Sequence, residues 1–205
     1  MSKGVYHKNF EKDELLKSTC EKIILPNMSF RDSDEIHFEE EFIEYIRADL
    51  EGSNSMSRKN GAGDLIIGLR KYYEGPVTQL LGGYINELFN QYKLDRSRNW
   101  KQKDAALCLL TSLTVSGSTR LQGVTVVNTM IPIENVFNEH VLPELLSEDS
   151  HPVIQADALR FVITFRNQVR FFFPTPLPLL NSPTDPLPPP PHPPSPPPFF
   201  ICEWK

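Results

Sequence analysis

The chain has 205 residues, with 21 Lys+Arg against 26 Asp+Glu and a formal net charge of −5. That balance argues against nucleic acid as principal partner, since neutralising phosphates takes clustered Lys and Arg, and no apolar run approaches the roughly 18–20 residues that cross a bilayer as a helix. Apolar residues make up 40% and aromatic residues 10%, enough for a buried core, so whole-chain disorder is excluded.

The first eight residues, Met1 to Lys8, carry no apolar stretch of the secretory type. Cys20, Cys108 and Cys202 form neither a disulfide framework nor a CxxC pair, so a reducing, intracellular compartment is expected. The sequon Asn27-Met28-Ser29 is then expected to be idle.

Amphipathic helices follow one another along the chain. Leu15, Leu16, Cys20, Ile23 and Ile24 form a first stripe, which Pro26 is expected to stop. Phe42, Ile43, Ile46 and Leu50 form a short one, closed by Gly52-Ser53. Leu65, Ile66, Leu69, Tyr72 and Tyr73 form a third, closed by Gly75. The clearest runs from Val77 to Tyr92. Its apolar residues Val77, Leu80, Leu81, Tyr84, Ile85, Leu88, Phe89 and Tyr92 all fall on one face of a 3.6-residue helix. Gly75-Pro76 suits its start. Gly82-Gly83 inside it costs about 1 kcal/mol per Gly, and predicts the close approach of a neighbouring helix. Ala106, Leu109, Leu110 and Leu113 lie behind Trp100. Ile133, Val136, Phe137, His140, Val141 and Leu145 form a stripe that Pro143 should kink or end early. Ile154, Ala158, Phe161, Val162 and Phe165 form the last. Val124 to Val127 is β-rich but short, and no partner strand is evident.

Three helices share a short core: Gly63-Asp64-Leu65-Ile66-Ile67, Lys103-Asp104-Ala105-Ala106-Leu107 and Ala156-Asp157-Ala158-Leu159-Arg160. Their aspartates are 40 and 53 residues apart, with a second helix in each interval. Helix pairs at about 40–47 residues are the signature of HEAT and armadillo repeats. Each such pair leaves an apolar face that only a stacked neighbour covers.

Asp32 to Glu51 is a charge island of nine acids and one base, Arg47, so its net charge is −8 and the rest of the chain carries +3. It is a candidate contact for a basic partner; the plainer alternative is a solvated helix face. Signals for chemistry are weak. Asn60-Gly61-Ala62-Gly63 precedes a helix but follows no strand and lacks a downstream GK[ST]. The five histidines (His7, His37, His140, His151, His192) have no metal-type spacing, and His140 is expected to be structural. Cys108 is expected to be a small core residue. Asp32-Ser33-Asp34 begins like a calcium loop, without the Gly and Glu that complete one.

Fourteen of the 19 prolines lie between Phe171 and Lys205. The run from Leu187 to Phe200 favours polyproline II, the form that SH3 and WW grooves accept. Its other reading is a translated intron or misjoined exon.

Longer blocks carry a resemblance. They are Cys20-Glu21-Lys22-Ile23-Ile24-Leu25-Pro26-Asn27, Phe30-Arg31-Asp32-Ser33-Asp34-Glu35, Glu44-Tyr45-Ile46-Arg47 and Asp49-Leu50-Glu51-Gly52-Ser53. Further on come Glu74-Gly75-Pro76-Val77-Thr78, Asn99-Trp100-Lys101, Lys103-Asp104-Ala105-Ala106, Thr111-Ser112-Leu113 and Phe165-Arg166-Asn167-Gln168-Val169. On these blocks, the stretch from Cys20 to Val169 resembles the central region of the exportin-2 family of nuclear export receptors. The resemblance implies an all-α HEAT-repeat solenoid of about three helix pairs over residues 1–170; the Pro-rich tail over 171–205, expected to be disordered from its composition, has no counterpart in the family. It implies a segment of a longer receptor, with repeats missing on both sides and uncovered apolar end faces. Receptors of this family bind Ran in its GTP form together with importin-α and carry importin-α to the cytoplasm. The implied partners are therefore Ran-GTP and importin-α, with shuttling between nucleus and cytoplasm, no cofactor and no enzymatic chemistry. The charge island matches a family segment expected near the hinge and the Ran-facing surface, which makes Arg31, Asp32, Asp34, Tyr45, Arg47, Asp49 and Glu51 candidate interface residues. The alternative is a helical adaptor that recruits SH3 or WW domains through its Pro-rich tail.

Overall fold

The predicted apolar stripes become helices, and the helices pair. The computed structural model describes residues 13–51, 58–119 and 123–169; the Pro-rich segment lies outside them. Helix α1 (Asp13–Thr19) passes through a π-helical turn (Cys20–Ile24) into α2 (Leu25–Met28). Two short helices follow, α3 (Asp32–Glu40) and α4 (Phe42–Glu51), and then α5 (Arg58–Leu94) and α6 (Trp100–Thr114). After a β-hairpin come α7 (Ile133–Val136), a second π-helical turn (Phe137–Val141) and α8 (Leu142–Leu146). The last helices are α9 (Pro152–Thr164) and α10 (Arg166–Val169).

Three layers of paired helices result. The segment α1–α2 packs on α5, α5 on α6, and α7–α8 on α9, with α9 also against α6. One core runs through all of them, from Ile24 and Met28 through Ile66, Leu81, Phe89 and Leu109 to Val141 and Phe161. This is the all-α solenoid expected from the sequence. Leu15 and Ile23 on the first layer, and Leu159 and Ile163 on the last, stay exposed.

The prolines act differently from the simplest expectation. Neither Pro26 nor Pro143 ends its helix. A proline clashes with the carbonyl four residues back and offers no N–H to it. Here each proline follows a π turn, in which the Leu25 N–H donates to the Cys20 carbonyl and the Leu142 N–H to the Phe137 carbonyl, five residues back. The widened turn relieves the clash, so the helix runs on to Met28 in one case and Leu146 in the other. Helix α5 does break, at Tyr73 (φ −134°, ψ 42°) rather than at Gly75. The break follows Tyr72, whose carbonyl is the one that Pro76 would strike. Asn60-Gly61-Ala62-Gly63 lies inside α5 rather than ahead of it.

The reading of Gly82-Gly83 as a close-packing point does not hold: a Cβ built on either would meet nothing within 4 Å. The close approach is at Gly63 instead, where a Cβ would lie 2.9 Å from Ser112 Oγ, and so α5 meets α6 there. The β-rich segment also has a partner. Strands β1 (Val115–Thr119) and β2 (Gly123–Val127) pair antiparallel, with irregularities at Val115–Ser118 and a left-handed Gly123 (φ 75°). The partner strand, Val-Ser-Gly-Ser-Thr, has little β propensity of its own. Side chains from neighbouring layers hold the hairpin. Arg70 donates to the Val115 carbonyl (2.8 Å) and to Ser116 Oγ (2.6 Å), and Gln168 donates to the Val124 carbonyl (2.9 Å).

Candidate protein interface

The charge island forms α3 and α4, and its placement follows from one aromatic cluster. Phe30, just before α3, meets Trp100 edge-on at 4.8 Å and Tyr45 at 6.0 Å. Phe38 contacts Tyr45 at 5.6 Å and His151 at 5.8 Å, and His151 stacks flat on Trp100 at 3.9 Å. Phe30, Trp100, Val153 and Ile154 form a second small core, separate from the main one. Trp100 opens α6, and His151 caps α9 by accepting the Val153 N–H on Nδ1. The acidic helices therefore lie beside the starting ends of second-of-pair helices, where the macrodipole favours negative charge.

Ion pairs fix the same arrangement. Asp34 accepts from the Arg31 N–H (2.9 Å) and pairs with Arg58, the first residue of α5. Lys101 reaches Glu35 at 2.6 Å and Asp32 at 3.6 Å. The Glu35 hydrogen bond, with lesser help from the Coulomb attraction of Glu35 and Asp32, holds the Lys101 ammonium above its usual range.

The candidate interface residues thus divide. Arg31, Asp32 and Asp34 start α3, and Arg31 also donates to the Pro26 carbonyl (3.4 Å) and to Asn27 Oδ1 (3.3 Å). Tyr45 faces inward, in the aromatic cluster. Arg47 pairs with Glu44 on the same helix at 2.6 Å. Asp49 and Glu51 lie on α4, further along. What remains outward is acidic and apolar together: Glu39, Glu40, Glu41 and Glu44, beside Ile36, Phe42 and Ile43, of which Ile43 is 77% exposed. Sequence reading did not assign to this surface Trp100, His151, Lys101 and Arg58, the residues that hold it in place. No local signal marks them, because each acts through residues of another layer.

The buried polar groups are structural. Asp104, Cys108 and Asp157 bring carboxylate and thiol atoms within 4.8 Å of one another. Two cations already serve them: Lys59 Nζ donates to both Asp104 oxygens (2.7 and 2.9 Å), and Arg160 donates to Asp157 (2.9 Å) and to the Cys108 sulfur (3.1 Å). Burial pushes the Cys108 thiol up to about 12, so it is a neutral side chain at pH 7. Two of the three repeated aspartates are therefore buried, Asp104 as a link between layers through Lys59 and Asp157 beside Arg160 on its own helix, whereas Asp64 is exposed.

His140 stacks on Phe89 with ring centroids 3.8 Å apart and planes 7° off parallel. Burial, and then the Lys103 and Lys93 charges, push its imidazole down to about 4. It is neutral at pH 7. The unfolded chain binds this proton near the ordinary 6.5 and the folded chain only near 4, so stability falls as pH drops through that window. An NMR titration of the imidazole is expected to show a midpoint near 4, well below that of a free histidine. A midpoint near 6.5 would contradict the stacked, desolvated placement.

Comparison with known proteins gives a consistent picture. The family described as Cse1 matches residues 1–175. Exportin-2 of Mus musculus and exportin-2 of Homo sapiens are each 45% identical over 167 residues, covering 80% of this chain and 17% of theirs. The chain therefore matches about a sixth of the length of these relatives. A solved structure, the exportin Cse1 in its cargo-free, cytoplasmic state, superposes with a TM-score of 0.75 at 34% identity, covering 80% of this chain and 18% of that one.

Proposed function

Because the chain belongs to the exportin-2 (Cse1) family, we propose that it is a segment of a nuclear export receptor, a protein-binding solenoid rather than an enzyme. Its partners in this reading are Ran in the GTP form and importin-α, and the receptor shuttles between nucleus and cytoplasm. The observation that carries the reading is the outward surface of α3 and α4. Four exposed glutamates and the exposed Ile36, Phe42 and Ile43 lie on these helices, which an aromatic core and two sets of ion pairs hold in position. Such a surface suits a partner with basic residues around an apolar anchor: charge complementarity steers the encounter, and the apolar anchor supplies affinity. The candidate residues Arg31, Asp32, Asp34, Tyr45, Arg47, Asp49 and Glu51 sort accordingly. The first four set the position of the two helices, Arg47 pairs with Glu44, and Asp49 and Glu51 lie further along α4.

The test is co-precipitation of the chain with importin-α and GTP-loaded Ran, with GDP-loaded Ran as control. Binding is expected with the GTP form only. The triple variant Glu39→Lys/Glu40→Lys/Glu44→Lys is expected to weaken it at least about tenfold at 0.1 M salt, and less at higher salt. No capture by the unaltered chain would remove the partner assignment. Undiminished binding by the triple variant would remove α3 and α4 as the surface.

A further inference from the structure

The aromatic cluster beneath α3 and α4 contains His151, and its geometry there suits only the neutral ring. His151 is half-buried at the start of α9, with Trp100 flat against it (3.9 Å, planes 6° apart) and Phe38 of α3 at 5.8 Å. Its Nδ1 accepts the Val153 N–H (3.3 Å), which requires an unprotonated nitrogen. A proton on Nδ1 would set donor against donor. Val153 is 3% exposed and belongs to the small core, so its N–H would then stay unpaired in a buried place. The site adds to that cost: His151 is the N-cap of a 13-residue helix, whose positive end disfavours an imidazolium.

The charges around the ring do not reverse this. Glu35 of α3 and Asp104 of α6 favour the imidazolium. Each is already held by an ammonium, Glu35 by Lys101 of α6 at 2.6 Å and Asp104 by Lys59 of α5 at 2.7 Å. From α4, Tyr45 presents its ring to Phe38 and to His37. On the turn before His151, Glu148 and Asp149 are exposed to solvent. Burial therefore outweighs the two carboxylates and holds the imidazole below its usual range.

Both acidic helices bear on this point: α4 packs on α9, and Phe38 of α3 touches the imidazole. We propose that His151 is a proton-operated latch, which seats α3 and α4 on the stack when neutral and loosens them when protonated. The ion pairs of Arg58 and Lys101 remain in either state, so the helices loosen without leaving. The loosened state binds the proton near the ordinary 6.5 and the seated state only below it, so seating weakens as pH falls through 6.5. The latch acts on the surface proposed above for partner binding, but its readouts contain no partner, so it stands or fails separately from Ran and importin-α.

Hydrogen–deuterium exchange on the full chain at about pH 7.5 and about pH 5 tests this, with α6 as the internal reference for the intrinsic pH dependence of exchange. The ratio of exchange rates, residues 32–47 over α6, is expected to rise at least about threefold at the lower pH. His151→Asn keeps an N-cap acceptor without a titrating group, and is expected to hold the ratio constant. His37→Gln alters the exposed ring beside Tyr45, and is expected to keep the parent's rise. An unchanged ratio in the parent, an equal rise in His151→Asn, or loss of the rise in His37→Gln would overturn the latch. Where His151→Asn loosens α3 and α4 at both pH values, the imidazole itself decides. Its NMR midpoint in the parent is expected below 6.5, and a midpoint at or above 6.5 overturns the proposal.

Discussion

Replacing Glu144 with Ala is expected to lower the unfolding free energy by about 3–5 kcal/mol, seen as a large drop in the urea midpoint. Glu144 is 2% exposed and accepts from Ser150 Oγ (2.6 Å), Tyr92 Oη (3.0 Å), Arg96 (3.0 Å) and Lys103 Nζ (3.3 Å). Lys103 is equally buried, and its ammonium lies over the rings of Tyr92 (4.7 Å) and Phe89 (5.3 Å). Without the carboxylate, Lys103 is a desolvated charge with only two aromatic faces for company. The double variant Glu144→Ala/Lys103→Met should recover part of the loss, because it removes that orphaned charge. The same network carries a pH signature. Burial alone would raise the Glu144 carboxyl, but the Ser150 hydrogen bond, the Lys103 charge, the Tyr92 hydrogen bond and the Arg96 charge outweigh it and hold the group below its usual range. Its stabilising contribution is therefore complete above the ordinary carboxylate value of 4.5 and fades as acid is added below it. A Glu144→Ala chain within about 1 kcal/mol of the parent would mean that the network is solvated and the layers are held by apolar packing alone.

Trp100→Ala is expected to cost about 3–5 kcal/mol and to detach the acidic helices from the stack. The indole is 8% exposed, with Phe30 on its edge and His151 flat against its face. Its loss opens a void in the small second core, whose other buried members among the described residues are Phe30, Val153 and Ile154. That core is too small to close around such a void. Exchange or limited proteolysis of residues 32–51 should then accelerate far more than the same measurement on α6. His151→Ala removes only the stacked pair and the α9 cap, and should cost about 1–2 kcal/mol. If residues 32–51 keep their protection in Trp100→Ala, the ion pairs of Arg58 and Lys101 suffice to hold α3 and α4, and the aromatic cluster is incidental to their placement.

Much of the architecture is legible in the order of residues. The stripe from Val77 to Tyr92 folds as its spacing demands: Val77, Leu81, Ile85, Phe89 and Tyr92 are all buried. The stripes behind Trp100 and after Pro152 do the same. Pro76 and Pro143 show where such reading stops. Pro76 reads as a helix start behind Gly75 and Pro143 as a kink or early end, but one helix breaks three residues ahead of its proline at Tyr73 and the other absorbs its proline in a π turn. Both outcomes relieve the same clash, and packing chooses between them. Gly82-Gly83 was visible as an anomaly, yet whether a neighbour sits against it depends on a distance that no local pattern contains.

The candidate interface divides the same way. Its charge, nine acids to one base between Asp32 and Glu51, is plain in composition. Which of those acids face outward is not, because Asp34 and Glu35 are claimed by Arg58 and Lys101, 24 and 66 residues away. The sequence by itself determined the helices, their apolar faces and the acidic character of α3 and α4, since helical period and charge are properties of neighbours along the chain. Only the tertiary structure decided that Lys59 meets Asp104 and that Lys103 meets Glu144, 45 and 41 residues apart, and that Val115–Thr119 becomes a strand. The environment of a side chain, its solvent and its partners, is set by whatever the fold brings beside it.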